Sequence, residues 1–158
     1  MKQVNRFFTR SAYQTRKLGQ NFAKKVLKAK PKMKAVLLAL EGELGSGKTT
    51  FIQGLARGLG VKGKILSPTF IILKRLKVKD SRFKGLYHID CYRLKKPKEL
   101  LNLGFKGIIS DPQNIVAVEW AERVERIMPE GSVKLKFKFI DKNTREIYII
   151  YPQKDIRP

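Results

Sequence analysis

Three adjacent segments predict an α/β fold. Ala35-Val-Leu-Leu-Ala-Leu40 is an apolar run without a charge, the pattern of a strand buried in a parallel sheet. Gly42-Glu-Leu-Gly-Ser-Gly-Lys-Thr49 follows it and satisfies G-x-x-x-x-G-K-[ST]. Phe51, Leu55 and Leu59 then recur every four residues, which predicts a helix from Thr50 to Leu59, with Gly58 and Gly60 suited to ending it. Strand, loop and helix in this order specify one P-loop NTPase domain over residues 1–158. Its expected architecture is a mixed central sheet flanked by helices, with a C-terminal antiparallel hairpin.

Each fixed position of the loop has a chemical role. Gly42, Gly45 and Gly47 allow a tight bend, and the loop amides of Glu43, Leu44 and Ser46 can cradle anionic oxygens. Lys48 supplies a mobile charge for the β- and γ-phosphates, and Thr49 offers a hydroxyl to Mg²⁺. The following helix turns the positive end of its dipole toward the same phosphates.

Composition bounds the rest. With 158 residues, 42% of them hydrophobic, the chain can build a core. No apolar stretch approaches the roughly 20 residues of a membrane span, so no membrane partner is expected. The single cysteine, Cys91, excludes an internal disulfide and fits a reducing, cytoplasmic setting. The single histidine, His88, excludes sites built on several histidines. The 35 Lys and Arg against 13 Asp and Glu give +22, an excess that attracts polyanions, RNA first among them. A lysine-rich solvated surface is the plain alternative, since no RNA-binding motif accompanies the charge.

Residues 1–34 hold eleven basic residues and no acid, a composition shared with mitochondrial transit peptides. Against that, Ser11 is placed to cap a helix over about 11–29. Leu18, Phe22 and Val26 share one face of it and Lys17, Lys24 and Lys28 another, as for a helix docked on the domain. Ile65 to Leu73 reads as a loop feeding a strand, and Lys74 to Lys84 as a hairpin turn or mobile loop. Leu86-Tyr-His-Ile-Asp90 is a short strand ending in an acid. Pro97 suits the first turn of a helix over about 98–103, closed by Gly104. Ile115-Val-Ala-Val-Glu-Trp120 is a buried strand, Ala121 to Met128 a short helix. Val133, Leu135, Phe137 and Phe139 alternate with Lys134, Lys136 and Lys138, and a turn at 141–144 leads to a return strand over 145–151. The lysine row reads as a solvent face or an edge protected against pairing, with a phosphate-contact stripe as the alternative.

A phosphate loop needs an acid at a strand end to hold Mg²⁺. Glu119, after the more apolar strand, suits the metal best, and Asp90 could hold its water shell or orient the attacking water. Ser67-Pro-Thr-Phe70 places two hydroxyls on a rigid turn, as segments that sense a γ-phosphate do. His88 reads as a structural hydrogen-bonder, and Trp120 as core packing, with a place beside the nucleotide as the alternative.

Taken together, the blocks 42–50, Ser67-Pro-Thr-Phe70, Tyr87-His-Ile-Asp-Cys-Tyr-Arg-Leu94 and Val118-Glu-Trp-Ala-Glu-Arg123 resemble the bacterial TsaE family, also called YjeE. The likeness runs from about Thr9 to Ile150 and includes Thr15-Arg-Lys-Leu-Gly-Gln-Asn-Phe-Ala23. It implies an ATPase supporting synthesis of N6-threonylcarbamoyladenosine at position 37 of tRNA, weak alone and acting with the TsaD–TsaB complex. It further implies ATP and Mg²⁺ as cofactors, with Thr49 and Glu119 on the metal, Lys48, Thr50 and the loop amides on the nucleotide, and Asp90 near the γ-phosphate. Ser67 and Thr69 would form a switch-like segment, with further nucleotide contacts near Ser11 and Ala12 and from Arg145. tRNA would be reached through that complex or through the basic surface. Ala121 stands where the family often has proline, and Lys74-Arg-Leu76 where it usually has an acid and an aromatic. The rival readings are a small-molecule kinase with Arg75 and Arg82 in a lid, and a nucleotide-gated RNA-binding module. A GTPase is disfavoured by the lack of an Asn-Lys-x-Asp motif.

Overall fold

The computed structural model describes residues 2–153, so the ends of the expected 1–158 domain lie outside the described residues. Seven strands form one sheet in the order β1-β7-β6-β2-β5-β4-β3. They are β1 (Gln3–Thr9), β2 (Val36–Gly42), β3 (Leu73–Leu76), β4 (Gly85–Asp90), β5 (Asn114–Glu119), β6 (Val133–Phe139) and β7 (Arg145–Tyr151). The central β6-β2-β5-β4 block is parallel, while β1, β7 and β3 pair antiparallel, so the sheet is mixed as expected.

Strand alternation divides the core in two. Leu38, Leu40, Ile115, Ala117, Leu135 and Ile147 face α1 (Ala12–Lys28) and α2 (Lys48–Gly58). Leu37, Ala39, Val116, Val118 and Ile89 face the opposite layer. That layer holds α3 (Pro97–Leu101), α4 (Phe105–Ser110) and a 3-10 helix over Ala121–Ile127. Two-sided burial of β2 and β5 explains their unbroken apolar runs.

Ser11 caps α1 as its position predicts, accepting the Gln14 amide at 3.1 Å. Thr15, Gly19, Phe22, Ala23 and Val26 form the buried stripe of this helix. Close approach to α2 is set by glycine. A Cβ on Gly54 would lie 1.9 Å from the Arg16 carbonyl oxygen, and one on Gly19 2.2 Å from that of Phe51. Gly58, expected as a stop, is the last residue of α2 and packs on Ala23, while the left-handed Gly60 follows the helix.

Several expectations are corrected. β1 lies in the basic leader, where Gln3–Thr9 pairs with β7 along its whole length. β3 starts at Leu73, the end of the stretch read as feeding a strand, and runs on into the stretch expected to be a turn or loop. It is a four-residue edge strand whose central Lys74 and Arg75 are exposed, so it carries no apolar alternation. Gly104 does not end the helical region. It is the left-handed N-cap of α4, which buries only Phe105. The lysine row does not protect an edge, because β6 is paired on both sides. Phe139 is exposed beyond the last buried residue of β6.

The glycine contact between α1 and α2 gives a stability prediction. Gly54→Ala should lower stability by about 1–3 kcal/mol, because only backbone movement can make room. Gly107→Ala, where a Cβ meets nothing within 4 Å, should be neutral or slightly stabilising. Urea midpoints of the two variants check the contrast.

Candidate functional site

The loop between β2 and α2 lies at the C-terminal edge of the parallel block. Gly47, the N-cap of α2, has φ 104°, and Gly45 has φ 78°, a backbone that side-chain-bearing residues rarely adopt. Lys48 is 4% exposed and folds back over its own loop, donating to the carbonyl oxygens of Gly42 and, at 2.8 Å, Glu43, and to Ser46 Oγ at 3.3 Å. Its ammonium also sits 4.2 Å from the centre of the Trp120 ring. Burial pushes the Lys48 pKa down, and the nearby charges of Glu119 and Asp90 oppose that shift.

Parity and register bring the acids to this loop. Glu119 continues the Ile115, Ala117 series of β5, and His88 and Asp90 continue from Leu86 on β4, so all three lie on the α1/α2 side. Asp90 is the register partner of Glu119, and Leu40 is the partner on the other side. Thr49, in the first turn of α2, donates to Glu119 Oε1 at 2.7 Å. The other oxygen, Oε2, lies 2.6 Å from His88 Nε2, with both side chains buried. His88 is thus a structural partner, and it leaves one Glu119 oxygen turned toward the loop.

Asp90 is held as firmly. Ser67 Oγ and Thr69 Oγ1 donate to Oδ2 at 2.5 and 2.9 Å, and the Tyr92 amide donates to Oδ1 at 2.9 Å. The Ser-Pro-Thr-Phe turn is therefore tied to β4 through one carboxylate. Phe70 and Ile71 beyond it are exposed.

A cavity of about 500 Å³ joins these groups. Of the residues expected from the sequence, Ser11, Ala12, Leu44 through Thr50, Ser67, Thr69, Asp90, Glu119 and Arg145 line it. Gly42 and Glu43 stand behind the loop and meet Lys48 through their carbonyls. Arg145 donates to the Gly45 carbonyl at 3.1 Å and lies over the Phe139 ring. Arg75 and Arg82, the candidate lid arginines, are engaged elsewhere, with the Lys84 carbonyl and with Asp80. Sequence reasoning missed Thr15, Lys142 and Asn143 as lining residues. Trp120 packs against the core, as expected, and is also a wall of the cavity, in a left-handed conformation (φ 57°), a strained backbone of the kind found at ligand sites. Tyr92 packs on it at 5.0 Å between ring centres.

The donors suit Mg²⁺. A hydroxyl and a single carboxylate oxygen are hard ligands, and among the described residues no cluster of three His, Cys, Asp or Glu competes for a softer metal. Cys91 is buried and its thiol is pushed up to about 12 by that burial, so it is inert. Removing the His88 partner should strand the buried Glu119 oxygen. His88→Ala should cost about 1–3 kcal/mol, more than His88→Gln, whose amide can still donate, and thermal unfolding of the pair checks it.

Comparison with known proteins places the chain. The model of the family described as threonylcarbamoyl adenosine biosynthesis protein TsaE matches residues 9–147. The tRNA threonylcarbamoyladenosine biosynthesis protein TsaE of Haemophilus influenzae is 33% identical over 134 residues, covering 85% of this chain and 81% of that protein. The Bacillus subtilis protein of the same name is 39% identical over 113 residues, covering 70% and 66%. The crystal structure of Bacillus subtilis YdiB superposes with a TM-score of 0.77 at 30% identity, over 98% of this chain and 90% of that one. With its phosphate loop and the four blocks gathered at one sheet edge, the chain belongs to the TsaE family.

Proposed function

We propose that this protein is a Mg²⁺-dependent ATPase supporting threonylcarbamoylation of adenosine in tRNA, working in the cytoplasm with the TsaD–TsaB complex. The observation that carries the reading is the 2.7 Å contact between the phosphate-loop hydroxyl of Thr49 and Glu119, with Asp90 beside it in register. The family and the names of its curated relatives supply the pathway.

Bound Mg²⁺ would supply Lewis-acid stabilisation of phosphate charge, held by Thr49 and Oε1 of Glu119, the oxygen that faces it. Lys48 would leave its loop carbonyls for the β- and γ-phosphates, and the amides of Gly45, Ser46 and Gly47, with the first turn of α2, would hold the leaving oxygens. Asp90 would orient water at the γ-phosphate. Its Oδ2 ties it to Ser67 and Thr69, so that segment would register phosphate loss. Ala12 and Thr15 at the start of α1, with Arg145 on β7, would close on the rest of the nucleotide. Phe70, 86% exposed and next to the cavity-lining Thr69, and Ile71 offer an apolar contact for a partner that completes the site.

The kinase reading loses its lid, because neither Arg75 nor Arg82 lines the cavity. Phosphate release from Mg-ATP, with and without the TsaD–TsaB complex and tRNA, tests the proposal. The complex should accelerate release, and Asp90→Asn should lower it by about 100-fold with nucleotide binding kept. Phosphorylated product in place of free phosphate would establish a kinase, and nucleotide binding without turnover under every condition would contradict the ATPase.

A further inference from the structure

The two layers do not cover the sheet equally. No residue of β6, β7 or β1 belongs to the core under α3, α4 and the 3-10 helix, so these strands leave one face open. Their other face is filled by Leu135, Phe137, Ile147, Ile149 and Phe7 against α1 and α2. Strand register sets three rows across the open face: Lys134–Ile150–Val4, Lys136–Tyr148–Arg6 and Lys138–Glu146–Phe8.

This grid carries four cations and one acid. Glu146 is neutralised by Arg6, whose Nε lies 2.6 Å from Oε1. The same guanidinium sits 4.7 Å from the Phe8 ring centre and 5.8 Å from that of Tyr148, and Lys138 Nζ is 5.6 Å from Tyr148. Lys134 turns toward Glu41 and Glu125 at 3.4 and 3.9 Å. Lys136 and Lys138 are exposed and, among the described residues, have no carboxylate within 4.0 Å. Two lysines without an ion pair, beside the half-buried Tyr148 ring and the exposed Phe8 ring, form the kind of surface that single-stranded nucleic acid uses, with phosphates on cations and bases on ring faces. Val4 and Ile150 adjoin each other, but the Lys136–Tyr148–Arg6 row separates them from Phe8, so the apolar positions form no patch continuous across the face for a lipid surface.

We propose that the open β1-β7-β6 face binds single-stranded RNA, its backbone along Lys136 and Lys138 and a base stacked at Phe8. The excess of +22 favours a polyanion over an acidic protein patch of limited size. The Lys138–Glu146–Phe8 row lies at the end of the face next to the β6–β7 turn, whose Lys142 and Asn143 line the nucleotide cavity. RNA on this face therefore reaches the rim of the phosphate-loop site. The inference goes beyond the ATPase reading and does not depend on hydrolysis.

Fluorescence anisotropy tests it without nucleotide, using labelled oligouridylate and an unmodified tRNA transcript across a salt series. Lys136→Ala with Lys138→Ala should weaken both probes about tenfold or more and reduce the salt slope by roughly 1.4, the value for two lost single-strand phosphate contacts. Phe8→Leu, which keeps apolar area without the ring, should weaken oligouridylate by about fivefold or more at unchanged slope. Lys24→Ala with Lys28→Ala on the outer face of α1 should leave both nearly unchanged. Equal losses from the two lysine pairs, no measurable RNA binding, or binding to anionic phospholipid vesicles instead of RNA would each overturn the proposal. Unfolding temperatures of the variants check that the sheet is intact.

Discussion

The Glu119 carboxylate is the point on which the site depends. It is 3% exposed at the end of β5 and has a different partner for each oxygen, Thr49 from α2 and His88 from β4. A buried carboxylate is costly unless both oxygens are satisfied. Satisfying them here fixes three elements at once: the helix after the phosphate loop, the strand that carries Asp90, and the strand between them. A shift of one residue in the β4–β5 register would turn either His88 or Glu119 to the other face and leave charge among Val118 and Ile89.

A second carboxylate extends this arrangement outward. Asp90 binds the Ser67–Thr69 turn and the Tyr92 amide, so the loop before β3 is anchored at the cavity while Phe70 projects from it. Lys48 is held by loop carbonyls and the face of Trp120.

Much of this was legible in the sequence, because it is encoded locally or by strand parity. The phosphate loop is a contiguous motif, and Glu119 and Asp90 stand out as acids at the ends of short apolar strands. His88 is legible as a structural hydrogen-bonder from its place on a short strand, and its contact with Glu119 agrees. The missing parts depend on long-range order. Thr15, Lys142 and Asn143 reach the cavity only because β1 and β7 lie beyond β6 and bring the hairpin turn and the start of α1 over the loop. β1 was hidden in a basic leader whose strand exists through pairing with β7, and the lysine row of β6 gave no sign that β6 is internal. Trp120 ends an apolar run and does pack on the core, while its ring also walls the cavity. Its left-handed backbone is what turns it to the cavity.

The central claim is that Thr49 and Glu119 share one metal with a nucleotide on the phosphate loop. The most direct measurement is the affinity of a fluorescent ATP analogue with and without Mg²⁺, for the wild type and Glu119→Gln. Mg²⁺ should tighten binding to the wild type by about tenfold or more and have little effect on Glu119→Gln, with the two proteins alike when the metal is chelated. An equal response to Mg²⁺ in both proteins would remove Glu119 from the metal and contradict the shared site.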